Sequence, residues 1–172
     1  MSPTILFITG PSGSGKSTTA RAWADSWETA CALIDHDLVR HFIRAGFADP
    51  GLRWGEDEER QWALARTICC DMARRYIEAG IACIIDAFAP PDEYRRWQEE
   101  LADLAVRVVV LLPSVDVALA RNAGRSGDAL LRDASVRENH GWMALWRNEP
   151  TALIIDNGQL SVDAVLQHMA RA

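Results

Sequence analysis

Apolar residues follow two patterns along this chain, one typical of buried strands and the other typical of helices. Five short runs are apolar at nearly every position, and they cover residues 4–9, 31–35, 81–87, 106–112 and 151–156. Between these runs, apolar residues recur every three or four positions, which predicts helices. Strands that are apolar on both faces are typical of a parallel sheet with helices packed on both sides. The pattern therefore predicts an α/β fold built on five parallel strands.

The predicted helices alternate with these strands. They cover residues 16–28, 38–45, 56–79, 90–104, 115–122 and 132–147, and Ser161 is predicted to cap a last helix. The helix over 56–79 has the clearest pattern, because its first turn is acidic and Gly80 stands where helices commonly end. Its apolar stripe consists of Trp62, Ala65, Cys69, Met72 and Tyr76.

The composition is that of one folded domain, predicted to span residues 1–172, with 49% hydrophobic and 24% charged residues. The net charge of −6 argues against nucleic acid or an anionic membrane as a partner, because both attract basic surfaces. No apolar run approaches the roughly 18 residues of a membrane span. The first strand begins too early for a signal peptide, so a cytoplasmic protein is expected. The four cysteines lack C-x-x-C spacing and are expected to be reduced core residues.

A phosphate-binding motif follows the first strand. Residues 10–17 fit the pattern G-x-x-x-x-G-K-[ST], whose glycines let backbone N–H groups approach an anion at the start of a helix. Lys16 would reach the β- and γ-phosphates of a nucleoside triphosphate, and the Ser17 hydroxyl would bind Mg²⁺. Lys16 is also the only lysine in the chain. The alternative is a Gly/Ser-rich turn without a ligand. The predicted nucleotide-binding residues are Gly10, Pro11, Ser12, Gly13, Ser14, Gly15, Lys16, Ser17 and Thr18.

Aspartates follow the second and third predicted strands, at the edge of a parallel sheet where ligands bind. Asp35 and Asp37 are one residue apart and would face the same way in an extended chain. One could hold Mg²⁺ through water while the other accepts a proton from a substrate hydroxyl. Alternatively, either residue merely caps the following helix. Asp86 is a candidate for a further carboxylate that holds Mg²⁺ through water, whereas Asp156 is interpreted as part of a turn.

Arginines late in the chain predict a lid over about residues 122–137. Arg125 and Arg132 could close over the phosphates and stabilise the negative charge of phosphoryl transfer. Arg121 could instead stack its guanidinium on an adenine ring. Solvated surface arginines are the alternative, and Arg137 is expected to be one of them.

A second substrate is expected between the second strand and the long helix, over about residues 36–60. Arg40 lies three positions after Asp37 and could hold an anionic or polyol group. Trp54, in a glycine-flanked loop, could pack against a substrate ring. Packing or surface roles remain open for each candidate. The candidates are His36, Asp37, Arg40, Phe42, Arg44, Trp54 and Phe88.

Three segments, together with the arginine loop, resemble the small P-loop kinases. This group includes the gluconate, shikimate and adenylylsulfate kinases and the chloramphenicol phosphotransferases. The segments are Gly-Pro-Ser-Gly-Ser-Gly-Lys-Ser-Thr (10–18), Ile-Asp-His-Asp-Leu-Val-Arg-His (34–41) and Ile-Ile-Asp-Ala-Phe-Ala-Pro-Pro (84–91). The resemblance covers nearly the whole chain. It implies a three-layer P-loop fold with strand order 2-3-1-4-5, helices on both faces and an arginine-bearing lid.

The same resemblance implies a phosphotransferase that uses ATP and Mg²⁺ to phosphorylate a hydroxyl of a small metabolite or antibiotic. In such kinases the aspartates matching Asp35 and Asp37 serve Mg²⁺-bound water and the acceptor hydroxyl. The arginines matching Arg121 and Arg125 serve adenine and the lid. Adenylylsulfate kinases more often have a serine at the position of Asp86 and carry Phe-Thr-Gly after the arginines, and this chain has neither feature.

Two alternative functions follow from the same residues. A nucleoside monophosphate kinase would need arginines around an acceptor phosphate, and Arg40, Arg44 and Arg53 could supply them. A nucleotide switch or regulatory ATPase would hydrolyse ATP without a small-molecule acceptor. Such a switch has no need of the Asp-x-Asp at residues 35–37 together with an arginine on the substrate side.

Overall fold

Five parallel strands form one sheet in the computed structural model, which describes residues 4–51, 54–126 and 130–171. The strands are β1 (Ile5–Thr9), β2 (Cys31–Asp35), β3 (Ala82–Asp86), β4 (Val106–Leu111) and β5 (Leu153–Ile155). Their order across the sheet is β2-β3-β1-β4-β5, and each neighbouring pair is parallel. The predicted parallel sheet and its implied order are therefore confirmed.

Helices connect the strands within the described residues. They are α1 (Lys16–Asp25), α2 (His36–Arg40), α3 (Glu56–Glu78), α4 (Pro91–Glu100), α5 (Val115–Ala123), α6 (Asp133–Ala144) and α7 (Val162–Arg171), and a 3-10 turn at Leu145–Asn148 follows α6. The predicted end of α3 is confirmed, because Gly80 follows the helix with a φ of +78°. The Ser161 hydroxyl accepts the Ala164 N–H at 3.2 Å and caps α7, as predicted. Arg53 and residues 127–129 of the predicted lid lie outside the described residues.

Helix α2 departs most from the predicted elements. The sequence predicts a helix over 38–45, but α2 begins two residues earlier and is only five residues long. It begins earlier because the Asp35 carboxylate accepts the Leu38 N–H at 3.1 Å and caps the helix. It ends earlier because the chain then tightens into a turn, in which the Phe42 N–H donates to the Val39 carbonyl at 3.2 Å.

Successive strand residues point into two different cores, which explains why the strands show no polar alternation. In β1, Ile5 and Phe7 belong to one core, whereas Leu6 and Ile8 belong to the other. Helices α3, α4 and α6 cover the first core, and α1 and α7 cover the second. Each large apolar side chain that is fully buried contributes about 1.5–3 kcal/mol. The sheet is therefore the middle of three layers, as predicted.

The cysteines are free thiols, and those at positions 69, 70 and 83 are buried. This agrees with the expectation of reduced residues in or near the core. None of the helices in the described ranges has the combination of length and apolar character that crossing a membrane requires.

Candidate functional site

The carboxyl ends of the strands bring the candidate residues to one edge of the sheet. In the strand register, Asp35 of β2 is paired with Asp86 of β3, and Asp86 is paired with Ile8 of β1. Ile8 lies two residues before Gly10, where the phosphate loop begins. Both aspartates are therefore neighbours of the predicted phosphate-binding loop, as the edge rule for parallel sheets predicts.

The phosphate loop, residues 10–15, depends on glycine at three positions, of which Gly15 has a φ of +86°. A Cβ atom at Gly10 would lie 2.5 Å from the Leu111 carbonyl oxygen of the neighbouring strand. Gly13 has a φ of +81°, and a Cβ atom there would lie 2.3 Å from the Ala118 carbonyl oxygen. The loop leads directly into α1, whose first N–H groups have no partner within the helix. These groups form a ready site for an anion such as phosphate.

Two side chains donate hydrogen bonds to the backbone of this loop. The Asn157 Nδ2 donates to the Ser14 carbonyl at 2.7 Å, and the Arg121 Nη1 donates to the same oxygen at 3.3 Å. The sequence reasoning is right that Asp156 makes a turn, because its carboxylate accepts the Gly158 N–H at 2.9 Å. It missed Asn157, which is 5% exposed. The position of Asn157 directly after the last strand, on the binding edge, is the signal that could have found it.

A pocket of about 260 Å³ opens beside the first turn of α1. Arg121 lies on its wall, and three backbone carbonyls accept hydrogen bonds from its guanidinium group. A guanidinium fixed in this way suits a stacking contact with a planar ring. The opposite wall is apolar. The lining residues are Gly15, Thr18, Thr19, Arg121, Asn157, Leu160, Val162 and Val165.

Asp86 is a buried carboxylate beside the first turn of α1. It is 3% exposed, and its Oδ1 has no hydrogen-bond partner among the described residues. Burial raises the pKa of Asp86, although the charge of Lys16 and the hydrogen bond from Ser17 act in the opposite direction. A buried acceptor atom without a partner indicates a missing donor at this place.

The oxygen atoms around Asp86 fit a magnesium ion held mainly through water. Ser17, Asp35 and Asp86 offer oxygen donors, which Mg²⁺ prefers, and the unpartnered Oδ1 could accept a hydrogen bond from metal-bound water. Across the described ranges, no three His, Cys, Asp or Glu side chains converge closely enough to hold a metal ion. A magnesium ion at this place would therefore also need the phosphate oxygens of a nucleotide.

Asp37 lies in the first turn of α2, on the side of the phosphate loop. Partial removal from water acts to raise the pKa of Asp37, but Lys16, followed by His36 and Arg40, lowers it more. The Arg40 Nη1 donates to Asp37 Oδ1 at 3.2 Å, and 52% of the Asp37 side chain remains exposed. The extended-chain argument for Asp35 and Asp37 is wrong, because Asp37 is already helical and Asp35 is the cap. The charge of Lys16 nevertheless helps to lower the pKa of Asp37.

His36 lies inside the protein, away from the surface of the site. It is 0% exposed, and its ring packs against Trp62 and Trp97 at centroid distances of 4.7 and 5.5 Å. Its Nε2 lies 3.3 Å from the Trp62 carbonyl oxygen, and because this oxygen only accepts, the proton belongs on Nε2. Burial lowers the pKa of His36 to about 4. The structure therefore gives His36 a packing role, in place of the predicted contact with substrate.

This buried histidine predicts a pH-dependent stability. In the unfolded chain the histidine takes up a proton near its ordinary pKa of 6.5, but in the folded protein it does so only at about 4. Protonation thus favours the unfolded chain, so the stabilisation is complete above pH 6.5 and is lost as the pH falls towards 4. The loss from this group is about 3 kcal/mol. Urea unfolding at several pH values between 4 and 7 measures it.

Two variants check that His36 is the group responsible. His36→Phe should remove a large part of this pH dependence, whatever its own stability at pH 7. His168→Asn is the matched control, because His168 is exposed on α7 and its replacement should leave the slope unchanged. An unchanged slope in His36→Phe would contradict the assignment.

The other substrate candidates occupy different surroundings. Trp54 is 59% exposed, and its ring lies 5.8 Å from the ring of Trp62, next to the Asp37–Arg40 pair. Arg44 is exposed beyond the end of α2, and Phe88 is half-buried against the first core. The structure thus brings Trp54 to the Asp37 side of the site and gives Phe88 a packing contact.

The segment between α5 and α6 contains the predicted lid arginines. Arg125 is half-buried directly after α5, and Arg132 is exposed directly before α6. The buried Asn122 joins the two ends of the segment, because its side-chain amide donates to the Leu131 carbonyl at 2.8 Å and accepts the Leu131 N–H at 3.2 Å. Sequence reasoning did not single out Asn122. The roles of the arginines stay predictions.

Comparisons with known sequences support the family resemblance. A family model described as an AAA domain matches residues 5–150 of the chain. A probable adenylyl-sulfate kinase from Archaeoglobus fulgidus is 37% identical over 98 residues, which are 55% of this chain and 56% of that protein. The chain therefore aligns with little more than half the length of this curated relative.

Solved structures show the same fold over nearly the whole chain. The tunicamycin resistance protein of Deinococcus radiodurans has a TM-score of 0.71 at 20% identity, and the match covers 98% of this chain and 95% of that one. The APS kinase of Mycobacterium tuberculosis, in complex with AMPPNP and APS, has a TM-score of 0.67 at 16% identity and covers 98% and 96%. The resemblance to small P-loop kinases that the sequence shows is confirmed by these comparisons.

Proposed function

The chain belongs to the AAA domain family, and from that premise we propose that it is a phosphotransferase that carries the γ-phosphoryl group of ATP to a hydroxyl of a small molecule. The AMPPNP complex of the M. tuberculosis relative and the kinase description of the A. fulgidus relative support the nucleotide and the reaction class. The hydroxyl belongs to a metabolite or an antibiotic.

One observation carries this proposal: Asp37 follows β2 at the same edge of the sheet as the phosphate loop, and the charge of Lys16, the predicted phosphate lysine, lowers the pKa of its carboxylate. A kinase must place a group that accepts or orients the acceptor proton beside the phosphoryl group that is transferred. A nucleotide switch has no need of a carboxylate at this place. The relation between Asp37 and Lys16 therefore favours the kinase over the switch.

The nucleotide would bind along the edge of the sheet. Backbone N–H groups of the phosphate loop and of the first turn of α1 would hold its phosphates, and the pocket beside α1 would take the base against Arg121. The Lys16 ammonium would stabilise charge on the β- and γ-phosphates. Arg125 and Arg132 would close over the phosphates from the lid and exclude water.

The metal is proposed to be Mg²⁺, held by the Ser17 hydroxyl directly and by Asp35 and Asp86 through water. When bound, it would neutralise charge on the phosphates during transfer. On the acceptor side, the Asp37 carboxylate would orient the acceptor hydroxyl and take its proton. Its pKa is lowered, so the carboxylate is charged at neutral pH and can accept a hydrogen bond from the acceptor hydroxyl before it takes the proton.

Binding of Mg-ATP is the first test. It should raise the melting temperature, because a ligand that binds only the folded protein stabilises it by mass action. At a concentration about a hundredfold above the dissociation constant, the gain is roughly 2.7 kcal/mol. Differential scanning fluorimetry or calorimetry measures the shift. ATP with EDTA and Mg²⁺ alone serve as controls, and both should give smaller shifts.

The reaction itself is tested by ADP release. A phosphotransferase releases ADP faster when its acceptor alcohol is present, whereas a switch releases it at the same rate with or without an alcohol. A melting curve that neither Mg-ATP nor Mg-GTP moves would contradict the nucleotide site. A melting shift without any acceptor-dependent ADP release would favour the switch.

A further inference from the structure

Aromatic side chains lie around the Asp37–Arg40 pair, on the acceptor side of the site. The Arg40 guanidinium carbon lies 4.6 Å from the ring centroid of Trp62 and 5.2 Å from that of Phe47. The Trp54 ring adds to the far side of Trp62 at 5.8 Å. We call these four residues, Arg40, Phe47, Trp54 and Trp62, the aromatic wall. Its outer member, Trp54, is 59% exposed.

The wall is held in place by α3. The Gln61 side chain donates to the Gly46 carbonyl at 2.7 Å and accepts the Ala48 N–H at 2.8 Å. These two bonds fix the backbone on either side of Phe47. Trp62 is the next residue of α3, so the same helix carries the centre of the wall. Within the wall, Trp54 contacts the ring of Trp62, which α3 positions.

Arg40 does not serve as a free cation for an anionic acceptor. It is 5% exposed, it already pairs with the Asp37 carboxylate at 3.2 Å, and aromatic rings lie against its guanidinium. Its Nε is buried too, without a hydrogen-bond partner among the described residues. A phosphate or carboxylate on the acceptor would have to break the Asp37–Arg40 pair to reach this charge.

Carboxylates gather near the same place, and cations balance two of them, because Asp37 pairs with Arg40 and Asp57 pairs with Arg60. Asp35, Asp37 and Asp86 lie along the edge of the sheet, and Glu56 and Asp57 begin α3 only two and three residues after Trp54. Like charges repel, so an anionic acceptor would meet an unfavourable field as it approached. A planar ring without negative charge would meet none, and it would gain apolar contact with the exposed tryptophan.

We propose that the acceptor is an alcohol without negative charge that bears an aromatic ring, and that the ring packs on Trp54 while the hydroxyl meets Asp37. The inference rests on the proposed kinase function and narrows its acceptor. The transfer is balanced: the acceptor oxygen bonds to the γ-phosphorus, the bond from that phosphorus to the β-γ bridging oxygen of ATP breaks, ADP leaves, and the acceptor proton passes to Asp37. Sugar acids, adenylylsulfate and nucleoside monophosphates are thereby excluded as the preferred substrate.

Matched acceptors test the charge and the ring separately by ADP release. Phenyl β-D-glucopyranoside is compared with its ring-free partner, methyl β-D-glucopyranoside, and with its anionic partner, 4-carboxyphenyl β-D-glucopyranoside, which keeps every hydroxyl. D-gluconate, UMP and adenylylsulfate complete the anionic set. We expect the highest kcat/KM for an uncharged ring-bearing alcohol, at least about tenfold above its ring-free or anionic partner, which corresponds to about one good aromatic contact.

The outcomes separate this inference from the function on which it rests. A higher kcat/KM for an anionic acceptor, or equal values for the phenyl and methyl glucosides, would overturn the inference and leave the kinase function intact. If none of these acceptors increases ADP release by protein that still binds Mg-ATP, the result would count against both the inference and the kinase function.

Substitution of Trp54 tests the role of the aromatic wall independently of the acceptor series. Trp54→Ala should raise the KM for the best ring-bearing acceptor about five- to tenfold, with little change in kcat or in ATP affinity. Trp27→Ala is the matched control, because Trp27 is also exposed but follows the far end of α1. An unchanged KM in Trp54→Ala would overturn the proposed role of the aromatic wall.

Discussion

Replacing Lys16 with alanine is expected to lower phosphoryl transfer by about 10² to 10³, the usual effect of removing one group that stabilises transition-state charge. Lys16 is the first residue of α1, at the point where the phosphate loop ends. It is a member of neither hydrophobic core, so its loss should leave the packing unchanged. The protein should therefore keep its fold while losing activity. The kcat/KM for ADP formation and the melting temperature, measured on the same sample, check both statements.

A control on the same helix distinguishes the loss of the phosphate-site lysine from the loss of any positive charge on α1. Arg21→Ala removes an exposed cation of α1 that lies outside the phosphate loop, and it should change the rate little. Lys16→Arg retains the charge but replaces a compact ammonium with a planar group, so only partial recovery is expected. Near-normal transfer by Lys16→Ala would contradict the assignment of residues 10–18 as the phosphate site.

The Asp37→Asn change is expected to lower acceptor phosphorylation by about 10² to 10⁴, the usual contribution of a positioned base. Asparagine has nearly the same size as aspartate but cannot take the acceptor proton. ATP binding should persist, because Lys16 and Ser17 are untouched. The variant should also be less stable, since the Arg40 side chain is 6% exposed and would lose its carboxylate partner. Rates should therefore be measured well below the melting temperature.

The Asp35→Asn variant provides the comparison for Asp37→Asn, because Asp35 is expected to affect metal binding and not proton transfer. Asp35→Asn should keep α2 intact, because asparagine caps helices about as well as aspartate does. It should raise the Mg²⁺ concentration needed for half-maximal activity, while transfer at saturating Mg²⁺ falls much less than in Asp37→Asn. If Asp37→Asn transfers within a fewfold of wild type, Asp37 is only the partner of Arg40. The base for the acceptor would then have to be another residue.

Local patterns were sufficient to predict the five parallel strands, whereas their order in the sheet followed only from the family resemblance. The strands lie in apolar runs such as 106–112, whose residues face one core or the other in turn, so hydrophobicity alone marks them. The phosphate loop was equally visible, because Gly10, Gly13 and Gly15 are required by close backbone approach or positive φ. Such requirements are local in sequence, so a spacing of a few residues can reveal them.

Residues whose roles depend on distant contacts could not be predicted in this way. Asn157 acts on Ser14, and Asn122 joins two ends of a loop, so neither has a signal within its own segment. The buried Arg66 pairs with Glu93 and Glu100 of α4. In the sequence alone, nothing distinguishes it from the exposed arginines of the same amphipathic helix. The aromatic wall likewise depends on contacts between α2, α3 and the loop that connects them.

The hydrogen bond from Asn157 to Ser14 has a consequence for how the protein is made. It joins residues 143 positions apart, and Asn157 lies beyond the residues that the AAA domain model matches. A loop of this length closes slowly compared with local helix formation, and chains emerge from the ribosome N-terminus first. During synthesis the phosphate loop thus emerges 143 residues before Asn157, and this hydrogen bond can form only after the last strand has emerged. A nascent chain arrested before residue 157 would carry the complete Gly-Lys-Ser motif and still lack this support.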